Sequence, residues 1–188
     1  MRIAISGPPG SGKTTICMLV ANKLECDYVL VGQIFRQMAM ERGMELDVFS
    51  RLAEEDETID RELDRRMLAI AAEKEDIVLE GRLTGALLKA KKIPVFAAYV
   101  DASEDVRAER IARRETKSVE EILRDMRQRE KSEKKRYLAY YGIDPADKLT
   151  YDLWLDSTDV SADQVADEIV MYAKKAEAEN AHQSEEGR

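Results

Sequence analysis

Residues 7–15 read Gly7-Pro8-Pro9-Gly10-Ser11-Gly12-Lys13-Thr14-Thr15, between the apolar run Ile3-Ala4-Ile5 and a segment that places Ile16, Val20 and Leu24 on one helical face. Gly7, Gly12, Lys13 and Thr14 meet the spacing GxxxxGK(S/T) of a phosphate-binding loop. The glycines carry no Cβ, so the backbone can take left-handed angles and turn its N–H groups toward phosphate oxygens. A helix beginning at Lys13 directs its positive end at the same anion. Lys13 is expected to reach the β and γ phosphates, and the Thr14 hydroxyl to sit on a magnesium ion. Pro8, Pro9, Ser11 and Thr15 complete the expected set. A strand, this loop and a helix in that order predict a nucleoside triphosphate site, which switches, motors and kinases all share.

Outward from the loop, the pattern alternates strands and helices. Strands are expected at Arg2–Ser6, Tyr28–Val31 (closed by Gly32), Ile77–Leu79, Val95–Val100 and Tyr151–Leu155. Helices are expected at about 13–24, 33–42, 46–53 and 59–72, after Ser103, from Ser118 to about Tyr141, and after Ser161. Ser118 with Glu121, and Ser161 with Gln164, have the spacing of capping boxes. Gly142 stops the long charged helix. Strands alternating with helices predict a three-layer α/β fold with a parallel sheet. Ligands in such sheets bind beyond the carboxyl ends of the strands, where Gly7, Gly32, Glu80 and Asp101 fall.

The chain has 188 residues, the size of one domain, 44% hydrophobic residues and a net charge of −8. That charge argues against a general nucleic-acid binder. Residues 104–136 reverse it locally, with 12 basic and 9 acidic residues. Arginine collected within an acidic chain points to a small anionic ligand. Cys17 and Cys26 are too few for a disulfide framework. With no signal-peptide pattern and no apolar run long enough to span a bilayer, a cytoplasmic protein without a membrane partner is expected.

Taken in order, GPPGSGKTT, VGQIFRQMA, VLEGRL, VRAERIARRE and RQREKSEKKRYLAYYGID extend over about residues 1–172. The set resembles the cytidylate kinases of the archaeal type, members of the nucleoside monophosphate kinases. The resemblance implies transfer of a phosphoryl group from ATP to CMP, and also to dCMP, with magnesium. It implies one kinase domain over 1–174, with a helical excursion for the acceptor at about 33–75 and a lid at about 115–136; the charged, small-residue-rich composition from Lys174 onward predicts a flexible tail at 175–188. No protein partner is implied.

The resemblance also distributes roles. Gly32, Arg36 and Arg82 would hold the acceptor monophosphate. Arg110 would lie against the adenine and Arg114 near the ATP phosphates, with Arg113 an alternative to either. Arg129 and Arg136, at i and i+7 with Glu133 between them, match lid arginines that contact the transition state, while Glu133 is open to reading as part of an exposed charged helix. Glu80 stands where many of these kinases have aspartate and could hold magnesium through water or orient Lys13. Asp60, Arg61, Asp64 and Arg65 are explained equally by pairing along a solvated helix.

The bare chemistry agrees. A monophosphate acceptor is largely ionised near neutrality, its second pKa being about 6. Such a reaction needs no general base, and lone His182 falls in the charged tail. Other functions are left open by residue type alone: a different monophosphate kinase such as adenylate kinase, or a non-catalytic nucleotide-binding protein. A GTPase is disfavoured, because Asn22-Lys23 continues into Leu24-Glu25 rather than into a guanine-reading motif.

Overall fold

The structure is a computed structural model that describes residues 1–186. Five strands, β1 (Arg2–Ser6), β2 (Asp27–Leu30), β3 (Ile77–Glu80), β4 (Phe96–Asp101) and β5 (Leu153–Asp156), form one sheet in the order β2-β3-β1-β4-β5. Every pairing is parallel. Among the described residues there are eight α-helices: α1 (Lys13–Leu24), α2 (Val31–Glu41), α3 (Leu46–Glu55), α4 (Glu57–Glu73), α5 (Thr84–Ala90), α6 (Glu104–Ala112), α7 (Val119–Tyr141) and α8 (Ala162–Glu186).

Alternation along β1 sorts the two faces. Ile3 and Ile5 pack with Ile16 and Val20 of α1 and with Val165 and Ile169 of α8. Ala4 faces the other way, into a layer with Leu79, Leu83, Leu87, Leu88 and Met67 of α4, completed by Tyr137 and Tyr141 of α7. This is the expected three-layer arrangement. The short α5 was not legible in the sequence pattern, because residues 84–88 are all buried and show no polar face.

The boundary after β2 also differs from expectation. Val31 starts α2 directly, so Gly32 lies in the first turn of that helix and does not close the strand. Val31 and Ile34 are one turn apart and both pack beside Leu79 and Leu83, which draws Val31 into the helical period.

Helices α2, α3 and α4 bury a core of their own around Met38, Phe49, Ala53 and Ile59. The rings of Phe35 and Phe49 lie 4.8 Å apart within it. A smaller cluster, Ala108 with Ile122 and Met126, joins α6 to the first half of α7. That highly charged stretch therefore has apolar surface to dock with.

Both expected capping boxes form. Ser118 Oγ accepts from Glu121 N–H while Glu121 accepts from Ser118 N–H, and Ser161 with Gln164 does the same. The closing helix runs through Lys174 to Glu186, where a frayed end was expected. Residues 187–188 of the expected tail lie outside the described residues.

Gly85 shows how tightly α5 seats on the sheet. A Cβ there would come within 2.9 Å of Ala97 Cβ and 3.4 Å of the Tyr151 ring. Alanine in a helix interior normally gains about 0.5–1 kcal/mol over glycine. Overpacking a filled core costs about 1–3 kcal/mol. Gly85→Ala should therefore be a net loss of about 1–2 kcal/mol, read from the midpoint of urea unfolding; an unchanged or higher midpoint would show that the layer is looser than described.

Candidate active site

The residues after β1 fold into the phosphate-binding loop. Gly7, Gly10 and Gly12 all have positive φ. Two of them are fixed by contact as well. A Cβ on Gly7 would stand 2.1 Å from the Val100 carbonyl oxygen, and one on Gly10 would stand 2.5 Å from that of Arg107. Arg107, buried in the first turn of α6, donates to Ala102 O at 3.0 Å and Pro9 O at 3.2 Å and pairs with Glu130. Ser157 closes the far side, donating to Ser11 O at 3.0 Å. Sequence reasoning missed both. The one available signal was Arg107 itself, a cation near a helix N-terminus, where the dipole disfavours it.

The loop opens onto a cleft of about 1580 Å³. One end is bounded by Arg110, Arg114, Ser157 and residues 160–162, the other by Phe35, Arg36, Ser50, Asp60, Leu63 and Met67. Lys13, Thr14, Glu80 and Arg82 lie along it. The structure thus brings every expected site residue onto one cleft, except that Gly7 and Pro8 line a smaller cavity of about 150 Å³ behind the loop, which Arg82 shares.

Lys13 begins α1 and is 7% exposed. Its ammonium donates to Pro8 O at 2.7 Å and stands 4.0 Å from Glu80. Burial, and after it the charge of Arg82, push its pKa down to about 7. Thr14, in the next position, is exposed to the cleft.

Glu133 is the node among the arginines. It is 8% exposed, pairs with Arg82 Nε at 3.1 Å and accepts from Arg129 Nε at 2.9 Å. Burial alone would raise its pKa, but Arg82, then Arg129 and Arg136, outweigh that and hold the carboxyl below its usual range. A residue that reads as part of a solvated charged face is thus the buried counter-ion of the site.

Arg136, two turns beyond Arg129, faces the excursion. It donates to Ala53 O at 3.1 Å and lies 3.4 Å from Asp60 Oδ2. Burial pushes the Asp60 carboxyl up to about 6 against the pull of Arg136. Arg110 is tied to Ser157, donating to its carbonyl at 2.6 Å and its hydroxyl at 3.0 Å. Arg36 and Arg114 stand exposed on the cleft walls, and Arg113 is exposed beside Arg114.

Among the described residues, three buried side-chain polar atoms have no hydrogen-bond partner: Ser11 Oγ, Asp60 Oδ2 and Arg136 Nε. All three residues line this cleft. Such an atom costs about 1–3 kcal/mol. No group of three or more potential metal-ligating His, Cys, Asp or Glu side chains occurs among the described residues, and no helix there is long and apolar enough to cross a membrane.

Lys13 yields a direct test. At pH 7.5 a pKa of about 7 leaves it mostly neutral. A polyphosphate on its nitrogen favours the charged form and raises the pKa, so binding should take up roughly 0.7 of a proton. Calorimetry of triphosphate binding in buffers of different ionisation enthalpy should detect this, and Lys13→Met should lose it. Identical uptake in that variant would assign the proton to another group.

The profile of the cytidylate kinase-like family matches residues 2–159. The cytidylate kinase of Methanopyrus kandleri is 44% identical over 169 residues, covering 86% of this chain and 87% of its own. That of Sulfurisphaera tokodaii is 38% identical over 186 residues, covering 97% and 100%. That of Halorubrum lacusprofundi is 49% identical over 152 residues, covering 81% and 78%. Among solved structures, a shikimate kinase from Bacteroides thetaiotaomicron superposes with a TM-score of 0.60 at 19% identity, over 94% of this chain and 97% of the other. An uncharacterized protein from Eubacterium ventriosum does so with a TM-score of 0.71 at 20% identity, over 93% and 98%. These structures share the fold, whereas the family profile spans the loop, the β3 end and helices α6 and α7. The chain belongs to the cytidylate kinase-like family.

Proposed function

We propose that this protein is a cytidylate kinase, transferring the γ-phosphoryl group of ATP to CMP, and to dCMP, to give CDP or dCDP and ADP. The observation that carries the reading is the cationic cleft: Lys13, Arg82, Arg129 and Arg136 converge where the phosphate-binding loop meets the helical excursion. The named cytidylate kinases that match nearly the whole chain supply the acceptor's identity.

In this reading an acceptor phosphate oxygen, already ionised, forms a bond to the γ-phosphorus while the bond to the β–γ bridging oxygen breaks, and ADP leaves. Catalysis is then positioning and charge stabilisation, the general means of accelerating phosphoryl transfer. The loop N–H groups and Lys13 hold the donor phosphates. Arg110 lies toward the adenine, and Arg36 and Arg82 grip the acceptor phosphate beside Gly32. Lys13, Arg114, Arg129 and Arg136 supply positive charge around the transferring group and its acceptor. Glu133 keeps Arg82 and Arg129 in place between turnovers.

Magnesium fits the residues present. Thr14 and Glu80 offer hard oxygen donors at the cleft, and this ion is usually held by one or two such groups together with substrate phosphates. When bound, it would neutralise charge on the donor phosphates. The segment 115–136 acts as the lid in this reading, and closure excludes water as a competing acceptor. Its small core of Ala108, Ile122 and Met126 seats its helical part on α6.

A coupled assay with ATP and a panel of monophosphates tests the reading. CMP should exceed AMP and GMP in kcat/KM; AMP as the best acceptor would place the chain in another branch, and ATP hydrolysis without acceptor preference would reject a kinase. Lys13→Ala should lower turnover by about 10²–10³ or more while the fold persists. For the lid, amides of residues 113–118 should exchange quickly in the free protein and slowly with a bisubstrate analogue. Equal exchange in both states would mean a static segment.

A further inference from the structure

Arg107 stands in the first turn of α6, where the helix dipole disfavours a cation, yet only 7% of it is exposed. Its hydrogen-bond partners all lie outside that helix. Nε donates to Ala102 O, while Nη1 donates both to Pro9 O of the phosphate-binding loop and to Glu130 of α7. A second ion pair joins the same two helices: Arg127 donates to both carboxylate oxygens of Glu104, at 2.8 and 2.7 Å, on the surface. Docking α7 on α6 thus has its own exposed pair, besides the cluster of Ala108, Ile122 and Met126. What the Arg107 pair adds is the loop.

We infer that Arg107 and Glu130 are positioning residues for phosphoryl transfer: acting through Pro9, they set the loop against α7 so that the donor phosphates and Arg129, the neighbour of Glu130, meet in one geometry. The inference rests on the kinase reading above. Neither residue needs to touch a substrate. A misplacement of about 1 Å, caused by a change away from the chemistry, can cost about 10² in rate.

Two features of the loop call for such a bridge. The cavity of about 150 Å³ is lined by Gly7, Pro8 and Pro9 of the loop and by Glu130, Glu133 and Lys134 of α7, so the two elements face each other there across open space. Arg107 Nη1 joins them directly. Lys13, in turn, donates to Pro8 O, one residue before the carbonyl that Arg107 holds. When Lys13 turns to a phosphate, Pro8 O loses that bond and Pro9 O keeps its own. Gly10 is held in the same way, since a Cβ there would stand 2.5 Å from the Arg107 carbonyl oxygen.

Steady-state kinetics of the full-length protein with ATP and CMP test this. Glu130→Gln keeps the shape but removes the charge, and should lower kcat about ten- to hundredfold while both KM values change little. Arg107→Lys keeps the charge but lacks the fork that spans the three acceptors, and should do the same. Glu104→Gln, which weakens the exposed pair between the same helices, should leave kcat unchanged. In a double-mutant cycle, Glu130→Gln and Arg129→Lys should be non-additive in kcat, since one acts through the other. A folded Glu130→Gln with wild-type kcat would overturn the inference, as would an equal loss in Glu104→Gln, a loss confined to the KM for ATP, or additive losses in the cycle. Wild-type protein that prefers another monophosphate would overturn the cytidylate reading alone, because the same comparison on that acceptor still decides the inference; no transfer to any monophosphate would overturn both. Thermal unfolding of each variant separates these outcomes from misfolding.

Discussion

A cleft that must grip polyphosphate has to gather cations, and gathered cations repel one another before the ligand arrives. The ion pairs of Glu133 answer that constraint. Its carboxylate lies between Arg82, at the end of the strand layer, and Arg129, on the long charged helix, and is itself buried. Burying an ionised group is expensive unless it is paired. Here the two arginines more than compensate, as the direction of the Glu133 shift shows. Lys13 stands 4.0 Å from Glu80, and burial, followed by the charge of Arg82, lowers its pKa. The site thus carries its cationic charge unevenly: Arg82 and Arg129 are neutralised, while the lysine is held back until an anion restores its proton.

That arrangement sits on a rigid backbone. Gly7 and Gly10 press against carbonyl oxygens of β4 and α6, and Arg107 binds the loop from behind. The sheet, the loop and α6 therefore behave as one body around the donor side. The excursion of α2 to α4 has a core of its own but also packs on the sheet layer through Ile34 and Met67, and Arg136 of α7 reaches across to Ala53.

The loop and the layer order were legible in the sequence because both are local: the loop motif spans nine residues, and strand and helix periods declare themselves within short windows. What was illegible depends on distant chain. Glu133 and Asp60 have charged neighbours at helical spacing, which reads the same whether the face meets water or a cleft. Arg107 and Ser157 act on the loop from about 98 and 146 residues away. Residues 84–88 are buried all round, so α5 lacks the polar face by which helices are recognised.

The strand order also bears on how the chain is assembled during synthesis. β1 lies in the middle of the sheet, yet its partners are β3 and β4, and Arg2 pairs with Ile77. On a ribosome the apolar Ile3-Ala4-Ile5 segment must wait for some seventy further residues, and the phosphate-binding loop for Arg107 and then Ser157 to be added. Such long-range parallel pairing is slow, and it leaves a hydrophobic strand without an edge to join. The excursion, whose core from Met38 to Ile59 is contiguous in sequence, can form in that interval. The acceptor wall can then be built before the catalytic loop has a sheet to stand on, and the nascent chain spends that interval with an apolar strand still unpaired.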